Sequence, residues 1–291
     1  MARLHQPVLV HEVVRLLSGK AVVIDATVGT GGHAEALLEA GAGAVLGLDR
    51  DEAALAEARS RLRRFGGRFR AVRARFSRLA EAAREVGVER CGGVLFDLGV
   101  SSLQLESAER GFSYRLPGPL DMRMGDEGPT AAEVVNTYPE ERLARVLQDY
   151  GEERFARRIA RAIVRARARA PIARTDQLAA VVAAAVPRRR GGPHPARRTF
   201  QALRIEVNRE LEELTASLPQ AVGLLEPGGR LVVISYHSLE DRVVKRFMAG
   251  EARLLVLTRR PVVPTPEERA RNPRSRSAKL RAAERREGEV R

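Results

Sequence analysis

Residues 22–34 read VVIDATVGTGGHA, and this stretch decides the fold of the chain. Apolar and β-branched residues run into Asp25, glycines follow at Gly29, Gly31 and Gly32, and a helical pattern then begins. This order predicts a strand, a tight loop and a helix. Glycines let a backbone turn sharply and approach a ligand, and a helix start offers unpaired N–H groups beside the positive end of its dipole. The stretch therefore predicts a site for a small molecule with a polar or anionic part, the alternative being glycines that serve packing alone.

Two later strands also end in carboxylates. The apolar run from Ala44 predicts a second strand ending at Asp49, 20 residues beyond Gly29, where nucleotide-binding folds place the acid that meets a ribose diol. A fourth strand ends at Asp97, so three carboxylates are expected at one edge of a parallel sheet. Phe76 follows the third strand, where an aromatic ring either covers an adenine face or packs in the core.

Composition narrows the class of partner. The chain has 291 residues and a formal net charge of +14, and its only lysines are Lys20, Lys245 and Lys279, so arginine carries the charge. Such a balance favours a polyanionic partner, while an arginine-rich genome and solvated helix faces are simpler explanations. The single cysteine, Cys91, excludes an internal disulfide and a paired-cysteine zinc site.

The N-terminal stretch predicts a short helix and neither a membrane anchor nor a metal site. No apolar run is long enough to span a bilayer and no signal-peptide core is present, so we expect a cytoplasmic protein without membrane contact. His5, His11 and Glu12 lack further ligands at suitable spacing, so we expect no metal.

After the fourth strand the strand pattern stops, and helical segments separated by Pro and Gly replace it. We interpret this part as an all-helical domain at 105–198, inserted in an α/β core that comprises 1–104 and 199–291. Its third helix is rich in arginine, and the link at 187–198 reads PRRRGGPHPARR. Phosphate neutralisation needs such a density of charge, so an RNA-recognition surface and a solvated charged face are both open.

The chain then returns to the α/β core with a helical stripe of apolar residues from Thr199 to Leu218. The sequence LLEPGG at 224–229 turns into a fifth strand that ends at Ser235. Ser238 and Asp241 have the spacing of a capping box for the next helix.

The C-terminal part holds one more predicted strand and a basic tail. The strand is expected from Leu254 to Thr258. The tail at 272–286 reads NPRSRSAKLRAAERR and lacks apolar periodicity, so we expect it to be disordered until it meets RNA.

Two nucleotide-binding activities fit the first half, a dinucleotide oxidoreductase and an S-adenosylmethionine (SAM) methyltransferase. The glycine spacing alone does not separate them. The single nucleotide-binding half and the L-x-P-G-G-x-L turn before the fifth strand favour the methyltransferase.

Seven motifs make a resemblance specific: HQPVL (5–9), DATVGTGGH (25–33), FDLGVSSLQL (96–105), RGFSYRLPGPLDMRM (110–124), RTFQALRIEVN (198–208), SYHSLEDR (235–242) and NPRSRSAKLR (272–281). In this order, over nearly the whole chain, they resemble the RsmH/MraW family of small-subunit rRNA (cytosine-N4)-methyltransferases. The resemblance implies an α/β class I SAM-dependent methyltransferase fold, Rossmann-like, with a mostly parallel twisted sheet and an inserted helical domain. It also implies SAM as cofactor, 16S rRNA or the small ribosomal subunit as partner, and the N4 amine of a cytidine in the decoding region as methyl acceptor.

The same resemblance implies which residues hold SAM: the glycine loop and its histidine at the methionine and ribose end, the acid after the second strand at the ribose hydroxyls, an aromatic ring on adenine, and two side chains that close the site. These residues are Gly29, Gly31, Gly32, His33, Asp49, Phe76, Asp97 and Gln104. Two positions depart from related enzymes. Thr27 stands where many methyltransferases have a first glycine, and Asp97-Leu98-Gly99 stands where DNA amino-methyltransferases carry proline-proline-aromatic, which leaves the amine-activating group open.

The exocyclic amine of cytosine is a poor nucleophile because its lone pair is delocalised into the ring, so acceptors for its N–H groups are expected near the methyl donor. Candidate catalytic acceptors are Asp97, Ser235, His237 and the backbone carbonyls of 98–102. The target base must leave its stack, and Tyr236 and Phe112 are candidate stacking faces with core packing as the more common role.

The basic loop and tail are predicted to contact RNA through Arg188, Arg189, Arg190, Arg197, Arg198, Arg274 and Arg276. A non-catalytic RNA-binding factor with this fold and a methyltransferase acting on DNA or protein are the alternatives. The sequence leaves the oligomeric state open between monomer and homodimer.

Overall fold

The computed structural model describes residues 7–187 and 192–288, and the chain divides into two compact units. An α/β unit takes the chain up to Gly99 and from Leu211 onward, and a helical unit is formed by Val100–Glu210. The described helices include none that is both long enough and apolar enough to cross a membrane.

Seven strands form one sheet in the α/β unit: β1 (Val22–Asp25), β2 (Ala44–Asp49), β3 (Phe69–Arg73), β4 (Cys91–Asp97), β5 (Leu225–Ser235), β6 (Leu254–Val256) and β7 (Lys279–Arg285). Their order across the sheet is β3-β2-β1-β4-β5-β7-β6, with β1 to β5 parallel and β7 antiparallel to both of its neighbours. Strands such as β4 read as unbroken apolar runs because both faces of the sheet are covered. The predicted Rossmann-like fold with a mostly parallel sheet is confirmed.

Helices cover both faces of this sheet: α1 (Val10–Leu17), α2 (Gly32–Glu39), α3 (Glu52–Leu62) and α4 (Leu79–Glu85), and, after the insertion, α11 (Glu210–Leu224), α12 (Ser238–Gly250) and α13 (Pro266–Arg271). Successive strand residues point to opposite faces, so Val23 packs in the core beneath α1, α2 and α3, whereas Ile24 packs in the core beneath α4, α11 and α12. The two cores hold the sheet rigid from both sides.

Six helices make up the described part of the helical unit: α5 (Ser102–Glu106), α6 (Ala131–Thr137), α7 (Glu140–Asp149), α8 (Ala156–Arg167), α9 (Thr175–Ala185) and α10 (Arg197–Asn208). Helix α6 begins with a capping box formed by Thr130 and Glu133. Apolar residues at helical spacing, such as Ile159 and Ile163 of α8, are fully buried in a core that this unit forms by itself.

The long helix predicted from Thr199 to Leu218 is two helices. Arg209 adopts a left-handed conformation with φ 51° and ends α10, and α11 begins at the next residue. The first half of the apolar stripe, including Leu203, packs in the helical core, and the second half, including Leu214, packs in the α/β core. The insertion therefore runs from 100 to 210 and not from 105 to 198, because α10 buries its apolar face within the helical unit.

The expectation of a disordered tail is wrong for its described part. Strand β7 pairs with β5 from Ser235↔Lys279 to Arg230↔Glu284 and buries Leu280 among its neighbours. A sequence pattern could not show this, because β7 is short, is rich in alanine and charge, and depends on a partner strand about 50 residues earlier in the chain.

Candidate cofactor and substrate site

Three carboxylates meet at one edge of the sheet, as the sequence predicts. Asp25, Asp49 and Asp97 are the last residues of β1, β2 and β4. Strand β1 pairs with β2 on one side and with β4 on the other, so the three strand ends are neighbours. The crossovers reverse direction between β1 and β4, and open α/β sheets bind ligands in the crevice at such a reversal.

The glycine loop after β1 is shaped by two backbone conformations that favour glycine. Gly29 has φ 50° and Gly31 has φ 83°, and a Cβ atom on Gly31 would lie 2.9 Å from the Leu62 side chain. The Gly29 N–H donates to Oδ2 of Asp49 over 3.0 Å and ties the loop to the end of β2. Between the two glycines, the Thr30 hydroxyl is buried without a hydrogen-bond partner among the described residues.

Asp49 presents a fixed carboxylate beside this loop. Its second oxygen accepts the Asp51 N–H over 2.9 Å, and Asp51 itself caps α3, as predicted. Burial raises the pKa of Asp49 above its ordinary value, although the two N–H donors lower it in part. Each carboxylate oxygen keeps a further lone pair, so the group can still accept hydrogen bonds from a vicinal diol.

Asp97 is the centre of a hydrogen-bonded cluster. The Tyr236 hydroxyl donates to its Oδ1 over 2.7 Å, and Nδ1 of His33 lies 3.5 Å from its Oδ2. The backbone N–H of Asp97 donates to the Thr27 hydroxyl over 2.6 Å, and this accounts for a threonine where related enzymes have glycine. The other ring nitrogen of His33, Nε2, lies 2.9 Å from the Val8 carbonyl, so it must carry a proton and its Nδ1 faces Asp97.

The pKa values of Asp97 and Tyr236 are raised above their ordinary values. Burial raises the pKa of Asp97, with His33 and the Tyr236 hydroxyl acting in the opposite direction. Burial and the neighbouring Asp97 hold the pKa of Tyr236 well above 10, so the phenol stays a hydrogen-bond donor. Beneath the loop, Asp25 is 1% exposed, and burial raises its pKa to about 7. Clusters of shifted groups at a sheet edge are typical of functional sites.

His237 caps a helix. Its Nδ1 accepts the Glu240 N–H over 3.4 Å, and Glu240 in return accepts the His237 N–H, which completes the capping box of α12. The predicted box of Ser238 and Asp241 is therefore displaced by one residue. Since Nδ1 is the acceptor, neutral His237 carries its proton on Nε2, and that nitrogen lies 3.1 Å from Oε1 of the buried Glu240.

Ser235 does not reach the site. The residue is 2% exposed and its hydroxyl donates to the Lys279 carbonyl of β7 over 3.3 Å, so it links two strands. Asp241 accepts hydrogen bonds from Lys279 and Arg281 and fixes the same strand to α12.

The other predicted site residues have distinct surroundings. Phe76 is half-buried, with its ring edge-on to Phe96 at a centroid distance of 5.9 Å, and therefore keeps one open side after β3. Gln104 lies in the helical unit, where its side chain accepts the Ser101 N–H in the capping box of α5. Phe112 is 6% exposed in the helical core, so it cannot be the stacking face that the sequence offered as one possibility.

The predicted RNA contacts fall in three places. Arg188, Arg189 and Arg190 lie outside the described residues. Arg197 and Arg198 are exposed in the first turn of α10, and Arg198 also donates to the Glu152 carbonyl over 3.0 Å. In the turn before β7, Arg274 is half-buried and Arg276 is exposed.

These residues fit SAM. The cofactor carries vicinal ribose hydroxyls and a cationic sulfur, and the edge offers a fixed carboxylate at Asp49 and two more at Asp25 and Asp97. The pKa values of these acids are raised because an isolated negative charge is unfavourable at this buried edge. A bound cation would make the ionised carboxylates more favourable. The unpartnered Thr30 hydroxyl is one more polar group that a ligand could satisfy.

Comparison with known proteins agrees with this chemistry. A model of the MraW methylase family matches residues 2–286. Three relatives named ribosomal RNA small subunit methyltransferase H are 48% identical (Heliobacterium modesticaldum; 96% of this chain, 98% of that protein), 52% identical (Acidothermus cellulolyticus; 97% and 94%) and 53% identical (Deinococcus deserti; 97% and 93%). A solved rRNA methylase structure from Streptococcus thermophilus aligns over 96% of this chain and 94% of that one, with a TM-score of 0.46 and 12% identity. At this TM-score and identity, the structural similarity says nothing about the roles of individual site residues.

Proposed function

Because the chain belongs to the MraW methylase family, we propose that it transfers a methyl group from SAM to the N4 amine of a cytidine in the decoding region of 16S rRNA. The names of relatives about half identical to it support small-subunit rRNA as the substrate. The observation that carries the proposal is the Asp97 cluster, a carboxylate fixed by Tyr236 and His33 on the same sheet edge as the glycine loop.

In this proposal SAM lies against the glycine loop. Asp49 accepts hydrogen bonds from the ribose hydroxyls, and the open side of Phe76 meets the adenine. His33 follows the loop, and its Nδ1, 3.5 Å from Oδ2 of Asp97, donates to that carboxylate when both ring nitrogens carry a proton. When bound, SAM supplies a methyl group on a positively charged sulfur, and the buried carboxylates are the complementary charge.

Asp97 is the proposed acceptor for the amine. A carboxylate that accepts an N–H from the amine orients its lone pair and can take the proton that must leave after methyl transfer. The raised pKa of Asp97 makes it a better base than an ordinary aspartate. Tyr236 positions this carboxylate through its hydroxyl, and backbone carbonyls of 98–102 are the remaining acceptors for the second N–H.

His237 has a different proposed role. Its Nδ1 is engaged as a helix cap and its Nε2 lies 3.1 Å from Oε1 of Glu240, so both ring nitrogens face Glu240. We therefore propose that His237 fixes the start of α12 next to Tyr236 and does not remove the proton.

The basic residues are proposed to bind the rRNA. Cations in the first turn of a helix oppose the helix dipole, so Arg197 and Arg198 at the start of α10 are better explained by an anionic partner than by helix stability. Arg276 and the link at 188–190 would add phosphate contacts. Free 16S rRNA or a small ribosomal subunit in the cytoplasm would be the substrate.

Mass spectrometry of nucleosides tests the function. Purified 16S rRNA and small subunits lacking the modification are incubated with the protein and isotopically labelled SAM, and labelled N4-methylcytidine is the expected product. Asp97→Asn should lower the single-turnover rate at least tenfold while SAM binding, measured by calorimetry, persists. Asp149→Asn, an exposed change at the end of α7, is the matched control and should behave as wild type.

The rival functions give different results. A non-catalytic RNA-binding factor would produce no labelled nucleoside, and a DNA or protein methyltransferase would label those polymers in preference to rRNA. Labelled methylcytidine with an unchanged rate in Asp97→Asn would remove Asp97 from the chemistry and leave the activity standing.

A further inference from the structure

The outer face of α8 carries a row of arginines. The inner face of this helix buries Ala156, Ile159 and Ile163 in the helical core. Three exposed arginines of the helix, Arg157, Arg161 and Arg165, are four residues apart and therefore lie along one side. Exposed Arg158 lies beside them, Arg154 precedes the helix and Arg169 follows it. One helical turn rises about 5.4 Å, so the row presents a guanidinium at nearly every turn.

Within α8 itself, no acidic residue opposes this row. The sequence has no acidic residue between Arg154 and Thr175. Among the described residues, Glu140 is the carboxylate paired with a member of the row, at 3.4 Å from Nε of Arg161. Exposed helices that serve only solubility alternate charges of opposite sign, whereas like charges three or four residues apart destabilise a helix. The repulsion within the row therefore lowers the stability of α8, which a role in solubility alone does not explain.

The arginines line concave surfaces. A groove of about 740 Å³ between α8 and α9 has walls formed by Arg157, Arg161 and Arg165 and a floor of small apolar residues, among them Val181. A neighbouring hollow of about 600 Å³ shares Arg157 and Arg158 with it. Its lining also includes Glu152, Glu153 and Phe155, whose side chain is 39% exposed. An exposed aromatic ring beside a basic groove is the arrangement that single-stranded nucleic acid uses, with phosphates on the arginines and a base on the ring.

We infer that this arginine groove, the surface lined by Arg154, Phe155, Arg157, Arg158, Arg161, Arg165 and Arg169, binds the sugar-phosphate backbone of the substrate RNA, with Phe155 stacking on an unpaired base. The inference rests on the proposed function for its choice of RNA. Guanidinium groups match phosphate oxygens in a bidentate manner, and an apolar floor accommodates sugars and base edges. The sequence left this arginine-rich helix open between an RNA surface and a solvated face, and the groove favours the RNA surface.

Filter binding with a 16S rRNA fragment that contains the decoding region tests the inference on the full-length protein. The triple variant Arg157→Gln, Arg161→Gln, Arg165→Gln should lose about 10- to 100-fold in affinity near physiological salt. Its plot of log affinity against log salt should be shallower by about 2, since each phosphate contact with single-stranded nucleic acid contributes about 0.7. In methylation assays the loss should fall on KM for RNA, with SAM affinity unchanged.

A charge-matched triple variant is the control. Arg59, Arg63 and Arg84 are exposed in the α/β unit, and changing all three to glutamine removes the same charge. This control should retain most of the RNA affinity. Phe155→Ala should lose roughly tenfold in RNA affinity, and Phe155→Tyr, which keeps a ring, should restore it. Circular dichroism melting verifies that each variant is folded.

Three results would overturn the inference. The first is an unchanged salt slope in the α8 triple variant, and the second is an equal loss of RNA affinity in the control. The third is a change in sedimentation of the RNA-free α8 variant, which would assign the groove to contact with a second copy of this chain. The proposed function fails separately. Wild-type protein that binds the fragment through the groove without methylating it would refute the function and support the groove. Methylation with an unchanged KM for RNA in the α8 variant would support the proposed function and refute the role of the groove.

Discussion

Replacing Asp25 with asparagine isolates the cost of a buried charge beneath the glycine loop. Burial raises the pKa of Asp25 from 3.8 to about 7, with the charge of His33 and the Thr27 N–H acting in the opposite direction. Between about pH 4 and about pH 7 the native state therefore holds a proton that the unfolded chain has released. The free energy of unfolding falls as pH rises through this window and levels off above it. At about 1.4 kcal/mol per pKa unit, the whole window is worth on the order of 4 kcal/mol.

Asparagine is neutral at every pH and keeps an oxygen for the Thr27 N–H. From about pH 5.5 to about pH 8 the unfolding free energy of Asp25→Asn should rise by roughly 2 kcal/mol relative to wild type. Urea unfolding followed by circular dichroism at both pH values measures this change. Asp121→Asn is the control, because burial raises the pKa of Asp121 but the hydrogen bonds from Arg123 outweigh it, so this pKa lies below 3.8. A difference between Asp25→Asn and wild type that is equal at both pH values would refute a raised pKa at Asp25.

Four further outcomes follow from the site. Asp49→Asn should weaken SAM binding by about 10- to 100-fold in calorimetry, since a charged hydrogen-bond acceptor is lost, and near-normal affinity would remove Asp49 from the cofactor site. Tyr236→Phe should lower the methylation rate about tenfold at saturating SAM by releasing Asp97, and an unchanged rate would make the hydroxyl merely structural. Asp241→Ala leaves Arg281, which is 7% exposed, without its carboxylate and should lower the unfolding free energy by about 3 kcal/mol in thermal or urea unfolding. SAM should gain affinity over its demethylated product, whose sulfur is neutral, as pH rises from about 6 to about 8, because Asp25, with its pKa raised to about 7, ionises in this range; parallel pH profiles for the two ligands would contradict this.

The strand ends could be predicted because their signals are local. An apolar run followed by an acid, as at Asp49 and Asp97, requires only that parallel strands expose their carboxyl ends on one edge. The glycine loop is equally local, since φ values of 50° at Gly29 and 83° at Gly31 favour a residue without a side chain. These signals were sufficient for the parallel sheet and for the edge at which the three carboxylates meet.

The contacts within the Asp97 cluster could not be predicted, because they join distant parts of the chain. The Thr27 hydroxyl reaches Asp97 across 70 positions, and the Tyr236 hydroxyl reaches it across 139. Both contacts depend on the sheet order, in which β4 lies between β1 and β5. A threonine in place of glycine and a tyrosine after the fifth strand were visible, but their shared partner was not.

The described part of the basic tail has a structural role, because its strand β7 belongs to the sheet. Strand β7 pairs along β5 up to Ser235, the residue before Tyr236, and the carbonyl of Lys279 accepts the Ser235 hydroxyl. Lys279 and Arg281 also bind Asp241 in the first turn of α12. The end of β5 is therefore held by β4 on one side and by β7 on the other, and the position of the Tyr236 hydroxyl relative to Asp97 depends on both. The basic tail that the sequence assigns to RNA thus includes two residues, Lys279 and Arg281, whose partner is Asp241 of this chain. Loss of Lys279 and Arg281 should displace Tyr236 before it affects any phosphate contact.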